Sequence, residues 1–483
     1  MHFSVIRRIT GLLLGLFSTT MLSPIIVSYL YNEQNATPFL IGFGTIFLTG
    51  LLLWLSARKA RAELRTRDGF IVAAIFWISL GLSGSIPFYA SELPSLSLTD
   101  AIFESISGLT TTGATVITGL DSLPKSILFY RQQLQWLGGM GIIVLAVAIL
   151  PMLGIGGMQL YKAETPGPVK DAKLTPRITE TAKALWMIYL GLTIACATAY
   201  WLAGMTLFDA ISHSFSTVSI GGFSTHDASF AFFDSSFLNY ICIGFMFLAG
   251  INFALHFKTA HSLKISNYYQ NSELKAYIFI IVSHTVIITA ALYLYNLSST
   301  LNNPLEHALF QVVSFATTAG FTSANHASWP SFIPVLLIFV AFYGGCAGST
   351  AGGMKVIRIL ILFKQLGKEI MHLIHPHADM PIKLDNQIVS RPIIHAVWGF
   401  FSAYILSFGT LMILMMATGM DQVTAFSAVG ATLNNLGPGL GDISANFTHV
   451  SDPSKWIACF SMLLGRLEIF TLLVLMTPLF WRD

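Results

Sequence analysis

Charged residues are scarce in this sequence. Only 10% of its 483 residues are Asp, Glu, Lys or Arg, while 54% are hydrophobic. Soluble domains carry roughly 25% charged residues, so the composition excludes a soluble globular protein. The net charge is only +3, and we expect the chain to be surrounded by membrane lipid, with no nucleic-acid partner.

Cysteines are also few, and their spacing does not suit a metal. All four lie within apolar stretches: Cys196, Cys242, Cys346 and Cys459. This pattern predicts small buried side chains and no disulfide framework. His372, His375 and His377 stand close together but in a linker with lysines nearby, so a solvated or partner-contacting loop is favoured over a metal site.

The signatures of an enzyme are missing as well. "GLGD" at 439–442 resembles the motif of intramembrane aspartyl proteases, which need a second aspartate, but the chain has no Tyr-Asp pair and no aspartate in the middle of an apolar run. "GIGGMQ" at 154–159 follows an apolar run rather than a strand, so it predicts a helix end and not a dinucleotide loop. We expect no enzymatic activity and no catalytic residue, and the protease is the most distant alternative.

Long apolar runs are what the sequence has in abundance. Ten of them are spaced along the chain, at 10–31, 39–57, 70–89, 134–155, 184–204, 236–257, 276–296, 333–346, 394–418 and 457–480. The longer runs match the ~20 residues that a helix needs to cross a bilayer. The first run follows Arg7 and Arg8 and is too long for a signal-peptide core, so it predicts a retained helix.

The distribution of charge predicts the orientation. The linkers 58–68 and 162–183 are basic, and Lys258, Lys264 and Lys275 mark further segment ends. The alternate loops are acidic, with Lys125, Arg131 and Lys455 as their only basic residues. By the positive-inside rule, the basic linkers and both termini face the cytoplasm.

Four stretches between the long runs resemble one another. They read "FESISGLTTTGAT" (103–115), "ISHSFSTVSIGGFST" (211–225), "LFQVVSFATTAGFTS" (309–323) and "AFSAVGATLNNLGPG" (425–439). Each predicts a short helix that runs into a glycine turn, and the glycines recur about every hundred residues. The helices that follow share "WLGGMG" (136–141), "FLAGIN" (247–252), "FYGGCAGS" (342–349) and "LLGRLE" (463–468).

The repeat predicts an all-α polytopic membrane protein with two leading helices and four helix–turn–helix units around a central pore. We place the leading helices in 1–68 and the units in 69–160, 161–265, 266–385 and 386–483. Backbone that is not helical cannot face lipid, because its unpaired polar groups cost several kcal/mol each, but it can line a wet cavity. Carbonyl oxygens from four turns can replace the water shell of an alkali cation. Glycine permits the positive φ that such a turn requires.

These motifs resemble the TrkH potassium-uptake proteins of the Trk/Ktr/HKT superfamily. The likeness is carried by "TTTGAT", "IGGFS", "TTAGFT" and "NNLGPG", together with "QWLGGMGIIVLAVAILP" (135–151) and "GGCAGSTAGGMKVIR" (344–358), and it runs the whole length. The resemblance implies K+ uptake across a bacterial inner membrane by a homodimer. It also implies a cytoplasmic regulatory subunit of the TrkA type, which carries the nucleotide.

Carried over by position, the resemblance implies an ion-binding filter. Its members are Thr111, Thr112 and Gly113; Ile220, Gly221 and Gly222; Thr318, Ala319 and Gly320; and Asn435, Leu436 and Gly437. The residue pair before each glycine is expected to supply the carbonyl oxygens. The fourth turn departs most from the others, so we expect an asymmetric filter.

The segment 343–355 contains five glycines, each costing roughly 1 kcal/mol in a helix interior, so the helix is expected to unwind there. Its small residues are compatible with close helix packing or with an intramembrane gate, and the resemblance implies the gate. The gate residues are Gly344, Gly345, Gly348, Ser349, Thr350, Ala351, Gly352 and Gly353. Ala351 stands where another glycine is expected.

Arg466 lies within an apolar run. A charge at that depth is expensive, so we expect it to face the interior and contact loop carbonyls or a carboxylate. The resemblance implies contact with the gate, and we expect the fixed charge to impede cations. Assembly alone, beside Glu468, is the alternative role.

The transport mode is left open by the sequence. A K+/Na+ symporter and a weakly selective monovalent cation channel are the alternatives to selective K+ uptake, and a neutral-solute or ammonium channel is a third class. Few ionisable residues lie in the apolar runs, which favours a channel-like path.

Overall fold

The computed structural model describes residues 2–60, 66–141, 178–297, 301–378, 380–385 and 387–482. The basic residues 162–177, the motif at 154–159 and the unit boundary at 160 lie outside the described residues, as does most of the run 134–155. Within the described part, six helices are long and apolar enough to cross a membrane, and two bent helix pairs raise that number to eight. The helix Phe332–Tyr343 is apolar but shorter.

Two leading spans begin the chain. They comprise the helices Phe3–Thr19, Leu22–Leu30 and Thr37–Ala57. The first span begins earlier than its apolar run indicates. Gly11 and Gly50 allow the two spans to cross closely: a Cβ on Gly11 would lie 2.7 Å from the carbonyl oxygen of Gly50.

Each of the four units contains a long helix, a short lead-in helix, a turn and a closing helix. The long helices are Thr66–Gly84, Ile178–Leu202, Ser272–Leu294 and Arg391–Ala417. The lead-in helices are Leu98–Leu109, Leu207–Ser219, Pro304–Thr317 and Gln422–Leu433. The closing helices are Lys125–Trp136, Ser236–Ala249, Phe332–Tyr343 and Asp452–Arg466.

Further elements lie between or after these helices. The α-helical ones are Ile86–Ala90, Phe253–Ser262, Ser266–Gln270, Val356–Ile374, Phe470–Met476 and Pro478–Trp481. The 3-10 turns are Leu120–Ser122, Ser229–Phe233, His326–Ser328 and Gly441–Ile443. Strands Lys383–Leu384 and Gln387–Ile388 form a small antiparallel hairpin that pairs Lys383 with Ile388. The other regular elements in the described ranges are helical.

All four lead-in helices start at a side-chain cap. Ser97 accepts from the N–H of Asp100 (3.1 Å), Thr206 from Asp209 (3.1 Å), and Asn303 from Glu306 (3.3 Å). Asp421 accepts from the N–H groups of Val423 (2.9 Å) and Thr424 (3.2 Å). Such a cap satisfies N–H groups that have no partner within the helix, which is why these short helices begin where they do.

The closing helices break at the shared small-residue motif. The third unit unwinds as predicted, but the break is not confined to it. Ser236–Ala249 and Phe253–Ser262 meet at 91°, and Asp452–Arg466 and Phe470–Met476 meet at 115°. The first closing helix passes into a π-turn, Leu137–Gly141. The apolar runs 236–257 and 457–480 therefore do not form single continuous helices. The first is interrupted at Gly250, and the second at Glu468 and Ile469, which have positive φ.

Hydrophobic packing joins the units in two main groups. One buried cluster unites the leading helices with the first and fourth units, and another unites the second and third units. The four cysteines are buried and unpaired, as the sequence predicts. The lead-in helices contribute buried side chains to these clusters, so close packing helps to hold them in place.

Candidate ion-binding ring and glycine loop

The four lead-in helices end in the same backbone motif. At each end the N–H of the residue before the turn glycine donates to the carbonyl five residues earlier: Thr112 to Ser107 (2.9 Å), Gly221 to Ser216 (2.8 Å), Ala319 to Ser314 (2.7 Å) and Leu436 to Ala431 (2.8 Å). The residue before it also donates, three residues back. This pair of bonds is the Schellman motif, which requires one left-handed residue.

The left-handed residue is not a glycine in any unit. Thr111, Ile220, Thr318 and Asn435 have φ of 55°, 56°, 65° and 54°. A bulky residue with positive φ is an outlier that the surrounding structure must hold in place. The sequence predicted positive φ at the turn glycine alone, and the structure has it at two positions in each turn.

Three of these four side chains make hydrogen bonds that hold them. Thr111 Oγ1 accepts from Arg466 Nη1 at 3.1 Å, and Thr318 Oγ1 accepts from the N–H of Gly352 at 2.7 Å. Asn435 Nδ2 donates to the carbonyl of Met462 at 2.9 Å. Ile220 is buried in the second hydrophobic cluster. The turns are therefore fixed by tertiary contacts rather than by local propensity.

The turn glycines form a closed ring. A Cβ on Gly113 would lie 2.1 Å from the carbonyl oxygen of Gly221, and one on Gly222 would lie 2.0 Å from that of Ala319. A Cβ on Gly320 would lie 2.1 Å from the oxygen of Leu436, and one on Gly437 would lie 2.6 Å from that of Thr112. These contacts link the four turns in cyclic order, so all twelve residues of the predicted filter are brought together. Each glycine is needed because a side chain would displace a carbonyl of the next turn.

The first closing helix supports the second turn from behind. Gln135 Nε2 donates to the carbonyl of Gly221 at 2.6 Å, and Gln135 Oε1 accepts from the N–H of Phe223 at 3.0 Å. Gln132 Nε2 donates to the carbonyl of Phe223 at 3.2 Å, and Arg131 Nη1 to that of Ser224 at 3.1 Å. These side chains hold the backbone from 221 to 224.

A buried ion pair joins this support to the first turn. Arg131 Nε lies 2.8 Å from Glu104 Oε1, with side chains 1% and 0% exposed. Glu104 also accepts from the hydroxyl of Thr115 and the N–H of Val116, each at 3.0 Å. A buried pair of charges persists only with such additional hydrogen bonds. The pair thus ties together the segments that leave the first and second turns.

The glycine loop, residues 344–355, lies against the ring. The N–H of Gly352 donates to Thr318, and the N–H of Gly353 donates to the carbonyl of Asn434 at 3.2 Å. Thr350 Oγ1 donates to the carbonyl of Val218 at 3.0 Å. The loop therefore touches the helix ends of three units.

Positive φ occurs in this loop at Gly344, Gly348, Gly353 and Lys355. Ala351 is not among them, so an alanine fits its backbone without strain. Gly345 packs near Ala351, and Ser349 donates to the carbonyl of Cys346 at 2.6 Å. A carboxylate pins both ends of the loop: Glu273 Oε1 accepts from the N–H of Ala347 at 2.6 Å and of Ile357 at 3.2 Å.

Arg466 contacts both the loop and the ring. Nη1 donates to Thr111 and to the carbonyl of Thr350 (3.4 Å), and Nη2 donates to the carbonyls of Gly138 and Gly139, the latter at 2.8 Å. Glu468 pairs instead with Arg358. Arg466 thus lies where carbonyls of the first unit and of the glycine loop converge. Its guanidinium links the first, third and fourth units.

Several residues of this site escaped the sequence reasoning. Glu104 and Arg131 carried a signal, because opposite charges on two apolar elements of one unit suggest a buried pair. Little in the sequence points to Gln135 and Glu273, because their hydrogen-bond partners are backbone atoms of distant segments. Asp442 of the protease-like motif is exposed in a short 3-10 turn.

An all-α polytopic membrane fold whose four units meet in one backbone ring defines a membrane transport protein. A family model for TrkH, described as a cation transport protein, matches residues 36–481. The chain belongs to the TrkH family of cation transport proteins.

Named relatives resemble the chain over its whole length. The Trk system potassium uptake protein TrkH of Vibrio parahaemolyticus is 57% identical, and that of Escherichia coli is 55% identical, each alignment covering 100% of both chains. TrkG of Escherichia coli is 40% identical, covering 100% of this chain and 99% of TrkG. A crystal structure of the potassium transporter TrkH from Vibrio parahaemolyticus matches with a TM-score of 0.90 and 54% identity, covering 100% of both chains. These relatives are named as transporters and not as enzymes.

Proposed function

We propose that this protein conducts K+ into a bacterial cell through the ring formed by its four turns. The ion is coordinated by backbone carbonyls of Thr111 and Thr112, Ile220 and Gly221, Thr318 and Ala319, and Asn435 and Leu436. K+ is the cargo, and the chain itself holds no nucleotide.

The observation that carries the proposal is the cyclic closure of the ring. Each turn glycine lies directly against a carbonyl oxygen of the next turn, so backbone oxygens from all four units are gathered at one place. Carbonyl groups arranged in this way can replace the hydration shell of a K+ ion. The lead-in helices add to the attraction, because their negative C-terminal ends lie at the ring.

The glycine loop and Arg466 act as the gate in this proposal. The loop carries the small residues Gly344, Gly345, Gly348, Ser349, Thr350, Ala351, Gly352 and Gly353, which leave it little steric resistance to movement. The positive charge of Arg466 beside the ring raises the barrier for a cation while the loop is in place.

We place the protein in the inner membrane with both termini in the cytoplasm, as the basic linkers indicate. It acts as a homodimer with a cytoplasmic nucleotide-binding subunit of the TrkA type. The family supports this assembly, and the relatives are named as parts of a Trk system. The proposed repeat boundaries, 69–160, 161–265, 266–385 and 386–483, follow from the same four-unit plan.

A growth experiment tests the proposal. A bacterium that lacks K+ uptake is grown on low K+ with the wild-type chain, with Gly113→Ser or with Gly419→Ser. Both glycines have positive φ, but a side chain at Gly113 meets a ring carbonyl, whereas nothing lies within 4 Å of a Cβ on Gly419. We expect growth with the wild type and Gly419→Ser, and none with Gly113→Ser. Equal growth of all three strains would contradict the filter assignment.

Weakly selective conduction of monovalent cations, or K+/Na+ symport, is the second candidate. The fourth turn favours it, because Pro438 Cδ would lie 2.7 Å from a Cβ on Gly320 and the bulky Asn435 and Leu436 make the ring asymmetric. Rb+ uptake that falls equally with added Na+ and added K+ would establish weakly selective conduction, whereas Rb+ uptake that rises with added Na+ would establish symport.

A further inference from the structure

The side-chain amide of Gln135 contacts the carbonyl of Gly221, which is one of the proposed ion ligands in the ring. It donates to the carbonyl of Gly221 at 2.6 Å and accepts from the N–H of Phe223 at 3.0 Å. The side chain is fully buried, at 0% exposure. These two bonds also fix which way the amide points, since reversing it would set donor against donor and acceptor against acceptor.

This contact sets the second turn apart from the others. The motif shared by the closing helices aligns Gln135 with Met246, Ala341 and Met462, and none of these side chains can donate a hydrogen bond to a carbonyl. The ring is therefore asymmetric at the second turn as well as at the bulky fourth turn that the sequence indicates.

We propose that Gln135 is a positioning residue that sets the preference of the ring for K+ over Na+ by holding the Gly221 carbonyl. This inference rests on the proposed function. The smaller Na+ requires its oxygen ligands to approach one another more closely than K+ does. A carbonyl oxygen that accepts a short hydrogen bond from a buried amide, with Phe223 two residues further on held by the same amide, resists that contraction. Without the amide, the Gly221 carbonyl can move inward and bind Na+.

The test compares Gln135→Met with the matched variant Gln133→Met. Gln133 lies on the same helix and its buried amide also makes two hydrogen bonds, but to the carbonyl of Thr20 (2.8 Å) and the hydroxyl of Ser23 (2.9 Å), away from the ring. Rb+ uptake into proteoliposomes is measured for each protein with increasing K+ or Na+ as competitor. The readout is the Na+ concentration for half-inhibition divided by that for K+, which does not depend on how much protein is active.

We expect this ratio to fall about three- to tenfold in Gln135→Met, the factor that corresponds to the net free energy of one hydrogen bond. Gln133→Met keeps the wild-type ratio. Gln135→Asn, which retains the amide on a shorter side chain, falls between them. An unchanged ratio in Gln135→Met overturns the inference, whereas absence of Rb+ uptake by the wild type overturns the proposed function instead.

If Gln135→Met takes up too little Rb+ for a ratio, the purified protein is titrated with K+ and with Na+ and its Tm is followed. Stabilisation by the two ions then gives their relative affinities. A K+ preference equal to that of the wild type again overturns the inference, and a reduced preference supports it.

Discussion

At the residue scale, the ring depends on a few side chains that hold backbone in strained conformations. Thr111, Thr318 and Asn435 occupy a left-handed region that costs a non-glycine residue roughly 1–2 kcal/mol. Arg466, Gly352 and Met462 supply the hydrogen bonds that compensate this cost. Because the surrounding structure maintains this strain, we infer that the positions of the carbonyl groups of these three residues matter more than local stability.

Arg466 offers a prediction at this scale. Replacing it by alanine removes a fixed positive charge beside the ring and frees the carbonyl of Thr350 in the glycine loop. We expect basal Rb+ flux to rise about tenfold or more, because a unit charge a few ångströms away at an effective dielectric of about 20 changes a barrier by more than ~1.4 kcal/mol.

The measurement uses vesicles with equal protein content and no regulatory partner. Arg391→Ala, at an exposed arginine that begins the helix Arg391–Ala417, serves as the control and leaves flux unchanged. Unchanged or lower flux in Arg466→Ala counts against a blocking role.

At the scale of elements, each turn follows a short helix with an N-terminal cap, and the glycine loop follows the closing helix of the third unit. The lead-in helices have only 12 to 14 residues, so packing and the N-terminal caps stabilise them more than propensity does. The caps at Ser97 and Thr206 are local, because each hydroxyl accepts from an N–H three residues further along the chain. The bends after Ala249 and Arg466 are not local, because they depend on which small residues meet a neighbouring backbone.

Glu273 gives a prediction for the glycine loop as an element. Its carboxylate accepts hydrogen bonds from N–H groups at 347 and 357, so Glu273→Ala releases both ends of the loop. We expect basal Rb+ flux to rise severalfold, since each hydrogen bond to a charged group contributes about 1.5–3 kcal/mol.

Glu369→Ala is the control, because Glu369 is exposed on the helix Val356–Ile374. Flux is compared at equal protein content in vesicles. A flux in Glu273→Ala equal to that of the control would show that the loop does not need this anchor.

At the scale of the whole molecule, contacts between units close the ring. The three basic residues that the sequence assigns to the acidic loops also make internal contacts. Arg131 pairs with Glu104 (2.8 Å), Lys455 pairs with Asp100 (2.6 Å), and Lys125 lies 3.9 Å from the ring centre of Tyr31. All three serve internal contacts, so they do not disturb the charge asymmetry that predicts orientation.

His226 links the first two units through their loops. It contacts Asp121 of the first unit, and its Nε2 lies 3.5 Å from Asp209 of the second. Burial lowers the pKa of His226, but hydrogen bonds to the two carboxylates outweigh this effect and raise the pKa above its ordinary value. His213, 6.5 Å away between ring centres, is the neighbouring imidazole.

The pH dependence of stability follows from the raised pKa. Protonated His226 stabilises the fold, so its contribution is complete below the ordinary pKa of about 6.5 and is lost as pH rises through the higher folded-state pKa. We expect the Tm of the wild type in detergent to decline relative to His226→Gln over that interval. A constant difference in Tm between the two proteins across the interval would exclude this linkage.

The four-unit plan and the residues that meet in the ring could be predicted from the sequence because each repeat carries the same local requirement. A short amphipathic helix must end, and a glycine must follow where backbone approaches backbone. The number and placement of most spanning helices follow from apolar length. Family membership adds to these expectations and agrees with them.

The sequence by itself determined that this is a membrane protein with four related turns, since hydrophobic length and glycine placement are local properties of the chain. Only the tertiary structure decided that Thr111, Ile220, Thr318 and Asn435 take the left-handed conformation and that Gln135, Glu104 and Glu273 hold the ring and the loop. The physical reason is that their partners lie in other segments of the chain, and many of these partners are backbone carbonyls and N–H groups. Such groups are present in every residue, so nothing in the order of side chains distinguishes those that will be brought into contact.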